Sequence, residues 1–388
     1  MNTFNAYFKR HFLTSWVKVV VFSILGAIII IQRIGIIYNQ YSSKITNSPE
    51  FYINYHVTKP IIEYLIAFAV IIALITPVLE FYTFNNKNNL DTLFSMPISK
   101  SKLLLAHYLN GAVQITIAFT VMYLIWLLTY VYASYTELHM ESAYLAYPII
   151  LLCALGIYTI FSFIFTRANS TVDGCIFIFL HFFLFNIIIS FIEHITIIDH
   201  NHIHVFDKYI PINPEHKPFL DNCTASVKRC SFTLVLDQLS SWLNNSLTPG
   251  YTVTRIKDAL TGERQTIYEY YTHQNGLSPL DTPAANAMCF FIVLAIISLV
   301  LILISFKRKT AVNVGDISES WLGYKMLGPI YSICCMTMVH RDVAMSIIGL
   351  VVMFLGYMLY RRGVKFKLPD IIVMALTVLF AIFSVKIY

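Results

Sequence analysis

The chain has 388 residues, 57% of them hydrophobic and only 12% charged, with a mean hydropathy of +0.66. So little charge excludes a soluble globular chain of this length and implies an all-α polytopic membrane protein. The net charge of +6 is no nucleic-acid signal, because most basic residues flank apolar runs, where they set membrane orientation.

Residues 1–18 place Phe4, Tyr7, Phe8, Phe12 and Trp16 in a roughly helical stripe beside Lys9, Arg10 and Lys18. This pattern predicts an amphipathic helix lying in the membrane interface, the other reading being an extension of the first span. That span is Val19–Tyr38, with Arg33 near its end and able to snorkel. A polar loop to Pro60 leads to the second span, Ile61–Leu79. Leu79–Gly111 then interrupts the apolar pattern with a polar stretch that has a helical period of its own. Leu90, Leu93 and Phe94 stand at i, i+3 and i+4, so a helix over 89–97 carries them on one face. Asn89 is the predicted N-cap, Pro97 closes the segment, and Ser99 can cap the next helix. Two turns of amphipathic helix do not stand alone and need a partner groove.

Further spans follow at Leu103–Tyr130, Ala143–Phe165 and Cys175–Ile195, so spans one to five with the short helix cover 19–195. His181 lies inside span five, where a packed histidine hydrogen-bonded to a neighbouring helix is the simpler reading than a substrate ligand. Residues 196–283 are the soluble-looking part and read as a large extracellular insertion. Within it Phe232–Leu239 fits a strand or a helix. Span six is 284–306, closed by the basic run Lys307–Lys309, and a basic linker continues to 320. Three apolar segments fill 321–388, of which Trp321–Val339 is a short span or part of a re-entrant pair. With the N-terminus inside, the inner segments hold fifteen Lys and Arg against four on the short outer ones, which sets a cytoplasmic N-terminus.

Of seven cysteines, five fall in apolar runs and read as small buried residues. Cys223 and Cys230 lie in the insertion, where an outward-facing disulfide is open to them. His200, His202 and His204 would share one face of an extended stretch and form a weak metal candidate; the plain reading is a polar juxtamembrane segment. No G-x-x-x-x-G-K-[ST], H-E-x-x-H or G-x-S-x-G occurs, so the chain offers no nucleotide loop or hydrolytic constellation of its own.

Asn89–Lys102, NLDTLFSMPISKSK, resembles the D-x-L-x-S-L-P-I-S-R-x-K-L signature of ABC-2 type permeases, the membrane subunits of bacterial ABC exporters. Met96 replaces the usual Leu and Lys100 the usual Arg. A second stretch, Phe306–Ile330, is similar to the basic segment after span six in the subgroup of envelope-stress and acetoin-utilisation operons. The resemblance implies a six-helix core, polar half-helices dipping in between spans five and six, and a coupling helix at 89–97. That helix would dock on an ATPase subunit through Leu90, Asp91, Leu93, Phe94, Met96 and Pro97. It further implies a second permease chain, ATP and Mg bound by the partner alone, and a bacterial plasma-membrane location. The expected activity is export of a hydrophobic or amphipathic molecule such as a peptide antibiotic, a lipid-linked component or a toxic compound. The competing class is a secondary transporter or membrane enzyme working without an ATPase, which should show intramembrane carboxylate pairs or broken helices in two halves.

Overall fold

The computed structural model describes residues 3–45, 50–132, 140–199, 202–205, 208–211, 231–247, 250–257, 264–271, 282–307, 322–338, 343–361 and 366–386, with 314, 315, 318, 320, 363 and 364. Among these, six helices are long and apolar enough to cross a membrane: Phe4–Ile36, Ile61–Asn85, Lys100–Thr129, Ala143–Thr166, Thr171–Ile189 and Met288–Lys307. They coincide with the six core runs of the sequence.

The first helix, α1 (Thr3–Ile45), is unbroken over 43 residues. The helix expected over 1–18 is therefore the beginning of span one and not a separate interfacial element. No Gly or Pro stands between Thr3 and Leu25, so nothing in that stretch disfavours a continuous helix. At 1.5 Å per residue it is about 65 Å long, roughly twice the ~30 Å hydrocarbon thickness. Helix α2 (Glu50–Phe81) likewise begins three turns earlier than its apolar run, inside the stretch read as loop. After a 3-10 turn at Tyr82–Asn85 come α3 (Lys87–Phe94), α4 (Lys100–Tyr132), α5 (Met140–Thr166) and α6 (Thr171–Ile195).

Two compact units divide the chain. The first comprises Met1–Thr76, Leu105–Tyr158 and Leu236–Ala295. Its helices meet closely at Gly111 of α4, where an added Cβ would lie 2.8 Å from Tyr158 Cζ and 3.0 Å from Thr76 Cγ2. Only glycine lets the α5 ring come so near, the small-residue contact by which membrane helices pack without a hydrophobic driving force. Tyr158 then donates its hydroxyl to Tyr108 O at 3.0 Å. Arg33 stacks 4.7 Å from the Tyr64 ring centroid, a cation–π partner in place of the expected solvent.

The second unit comprises Pro77–Leu104, Thr159–Val235 and Ile296–Tyr388. Ser170 caps α6 by accepting from the Asp173 amide at 3.1 Å. Among the described residues three helices follow span six: α9 (Tyr324–Met338), α10 (Val343–Arg361) and α11 (Leu368–Lys386). With 15 residues, α9 reaches about 22 Å and is short for a span. It packs on α6: Tyr324 donates to Asp173 at 2.9 Å, Tyr331 to Leu180 O, and Gly323 leaves room for Phe177, whose Cζ would be 2.8 Å from a Cβ there. Helices α10 and α11 are clasped by Arg361 and Asp370, in a bidentate pair at 2.7 and 2.9 Å. Asp370 also accepts from the Lys367 amide at 3.0 Å, closing the first turn of α11.

The described residues of the insertion form two antiparallel sheets and a helix. One sheet has the order β1 (Thr196–Asp199), β2 (His202–Val205), β3 (Lys208–Pro211), and β4 (Gly250–Lys257) pairs with β5 (Arg264–Tyr271) from Gly250↔Tyr271 to Lys257↔Arg264. Phe232–Leu239, open between strand and helix, is helical as the start of α7 (Phe232–Leu247); α8 (Thr282–Lys307) is span six. Cys175 and Cys289 are exposed, against the expectation of burial, and lie on outer faces of apolar helices.

Candidate functional site

Helix α3 hangs between spans two and three and is the stretch to which the signature residues belong. It starts at Lys87 after Asn86, three residues earlier than an Asn89 cap, and ends at Phe94; Ser95 bonds back to Asp91 O at 3.1 Å and Met96 to Leu93 O at 3.3 Å. Leu103 N donates to Ser99 O at 3.0 Å, so Ser99 opens α4 as expected.

The apolar stripe of α3 faces the protein itself. Leu90 is fully buried, and Phe94 stands edge-on to Phe306 of α8 with ring centroids 6.3 Å apart. Phe84 approaches the same Phe306 ring at 4.8 Å, and Lys100 Nζ lies 4.4 Å over the Phe94 ring. Leu93 and Met96 are half-buried. What α3 offers to a partner is the opposite face, where Lys87, Asn88, Asp91 and Thr92 are exposed, followed by exposed Pro97. Of the six residues expected at a partner surface, the structure thus places Asp91 and Pro97 outside, Leu93, Phe94 and Met96 half-buried, and Leu90 inside.

A second feature lies at the tip of α7. Ser231 caps this helix, its carbonyl accepting from Val235 N at 3.0 Å. Both the Ser231 and Thr233 hydroxyls donate to Asn186 Oδ1 of α6, the latter at 2.7 Å. Phe232 packs against both Phe161 of α5 and Phe182 of α6, with ring centroids at 5.2 and 5.9 Å. Phe161 is five residues before the end of α5 and Phe182 eleven after the start of α6, or about 8 and 16 Å along those helices. The tip of α7 therefore sits at membrane level. The extent assigned to an extracellular insertion is too large there, because hydroxyls satisfied by Asn186 let a polar helix end lie among span residues.

Sequence reading passed over a third feature, the buried polar stripe of α4: His107, Asn110 and Gln114. Its spacing of three and four residues was the available signal. Tyr7 Oη of α1 lies 3.0 Å from His107 Nε2, and the His11 and His107 ring centroids are 4.0 Å apart. Such groups bond helix to helix where lipid offers no alternative partner. His181 is buried as expected, but Nδ1 donates to Phe177 O of its own helix at 2.8 Å and not to a neighbouring helix. The backbone is extended at His202 and His204; His200, Cys223 and Cys230 lie outside the described residues.

A helical turn between spans two and three, and a half-helix at membrane level between spans five and six, are the two elements expected of one family. Residues 29–212 match the model of that family, described as ABC-2 family transporter protein. The chain carries an ABC-2 permease domain. The match takes in the latter part of α1, spans two to five and the whole of α3, and this ABC-2 permease is a multi-pass membrane protein and a transport subunit. Association with an ABC ATPase subunit comes with the family. No curated protein matches the chain.

Proposed function

We propose that this permease is the membrane half of an ATP-driven exporter in a bacterial plasma membrane, with its N-terminus in the cytoplasm. Two permease chains, identical or related, enclose the path, and each docks one ATPase subunit through the exposed face of α3. ATP and Mg are bound on that partner. The cargo is hydrophobic or amphipathic, in keeping with the apolar spans. The observation carrying this reading is α3 itself, a short helix held against the protein by Leu90 and Phe94 while Asp91 and Pro97 face outward.

The interface is tested by reversing its charge. Asp91→Arg changes an exposed side chain and leaves the folded core untouched. A mispaired charge at a desolvated contact costs several kcal/mol, about a hundredfold or more in affinity. The ATPase should therefore be lost on co-purification, while Lys87→Ala, which on the same face only removes a charge and introduces no mismatched one, should weaken binding far less. If Asp91→Arg and Pro97→Arg both retain the ATPase at wild-type strength, α3 is not the docking element.

Orientation is checked separately. In a background without native cysteines, a membrane-impermeant maleimide applied to whole cells should label Ser278→Cys and miss Ser101→Cys. The reverse pattern places α3 outside, where no ATPase can reach it.

A further inference from the structure

The proposed drive passes from α3 to spans two and three because they are joined to it by the chain. The ring contacts show a route to a third span. Phe306 is in the last turn of α8, more than two hundred residues from α3 in sequence. It is 1% exposed, and its ring stands between Phe84 at 4.8 Å and Phe94 at 6.3 Å, edge-on to both. The row continues at one end to Phe81, 6.0 Å from Phe84, and at the other to Lys100 Nζ over Phe94. One side chain of span six is thus held by the turn before α3 and by the last residue of α3. Edge-on aromatic packing is directional, so a shift of α3 must either carry Phe306 with it or open a void beside it.

We infer that Phe306 is the positioning residue that ties span six to the coupling helix, so that ATPase-driven movement of α3 reaches span six directly through Phe94 as well as by way of span two. This rests on the reading of α3 as the ATPase-docking helix. Phe306 itself is buried and does not contribute to the exposed docking face. Its removal should therefore leave ATPase binding intact and break only the transmission. The basic run directly after it gives span six a fixed end from which such a push acts along the helix.

The experiment uses the full complex of permease and co-purified ATPase in lipid vesicles, with native Cys289 as the sole cysteine. Cys289 is exposed on α8, seventeen residues before Phe306, or about 26 Å along the helix. A bimane on Cys289 reports its surroundings when Mg-ATP and orthovanadate are added. The wild-type complex should show a spectral shift, and Phe306→Ala should lose it while still co-purifying with the ATPase. Phe81→Ala is the matched control, since it empties an equally buried ring site in the same row without touching Phe306. It should keep the shift. If Phe306→Ala does not accumulate, Phe306→Val leaves a smaller void while still withdrawing the ring, and should also lose the shift. A shift that survives in the Phe306 variants, or is lost equally in Phe81→Ala, overturns the role of Phe306 alone. A wild-type complex that holds its ATPase and shows no shift overturns the transmission to span six, and a wild-type permease that retains no ATPase overturns the reading of α3 as well.

Discussion

Leu90→Asp should prevent the folded protein from accumulating in the membrane, whereas Asp91→Arg, one residue along, should accumulate normally. Leu90 is 0% exposed, so the substitution forfeits the burial of a full leucine, about 2–3 kcal/mol. It also places a carboxylate in an apolar setting, at a cost of several kcal/mol more. Against a total stability of about 5–15 kcal/mol, the two together remove most of the margin. The check is the amount of monodisperse protein extracted in mild detergent, compared at equal synthesis. Wild-type recovery of Leu90→Asp would mean that the apolar stripe of α3 does not face the protein. Phe94→Asp should act in the same direction with a smaller effect, because Phe94 is half-buried and pairs with one ring and one ammonium.

A second large effect is expected at the clasp between α10 and α11. Arg361 and Asp370 are each 7% exposed in their side chains and approach to 2.6 Å. Asp370→Ala leaves the guanidinium buried without its carboxylate, a loss of about 3–5 kcal/mol. It also frees the Lys367 amide. The double change Arg361→Met with Asp370→Leu removes both charges and should recover most of the loss, since a buried pair replaced by apolar groups of similar volume is often neutral. Thermal unfolding in detergent measures both. Equal melting of Asp370→Ala and the wild type would show the pair to be solvated and of little worth.

The six spans were legible because length and hydropathy alone define a membrane helix. Helix α3 was legible from the period of Leu90, Leu93 and Phe94. Which neighbour that stripe meets was not, since periodicity marks an apolar face without naming what covers it. For Phe94 the neighbour is Phe306, brought from the far end of span six. The continuity of α1 was hidden for a related reason. Its aromatic and basic first turns look interfacial, and nothing in sequence distinguishes a helix that turns along the membrane from one that runs straight. Depth was hardest at α7: Ser231, Thr233 and Gln238 give it a soluble composition, and only Asn186 of span five explains how such a helix end lies at membrane level.

That placement of α7 constrains the order in which the chain is built. Helix α7 has 16 residues, a hydroxyl-bearing tip and the polar Asp237, Gln238 and Asn244 along its length. It is too short and too polar to leave the translocation channel for lipid on its own. It leaves the ribosome after α6 and before α8, so it must first be passed across or held aside, and then settle against helices already inserted. Asn186 and the Phe161–Phe182 pair are the seat waiting for it. Biogenesis therefore has a late docking step after α6 is in place, in which a helix delivered from the water side is drawn down to its final depth.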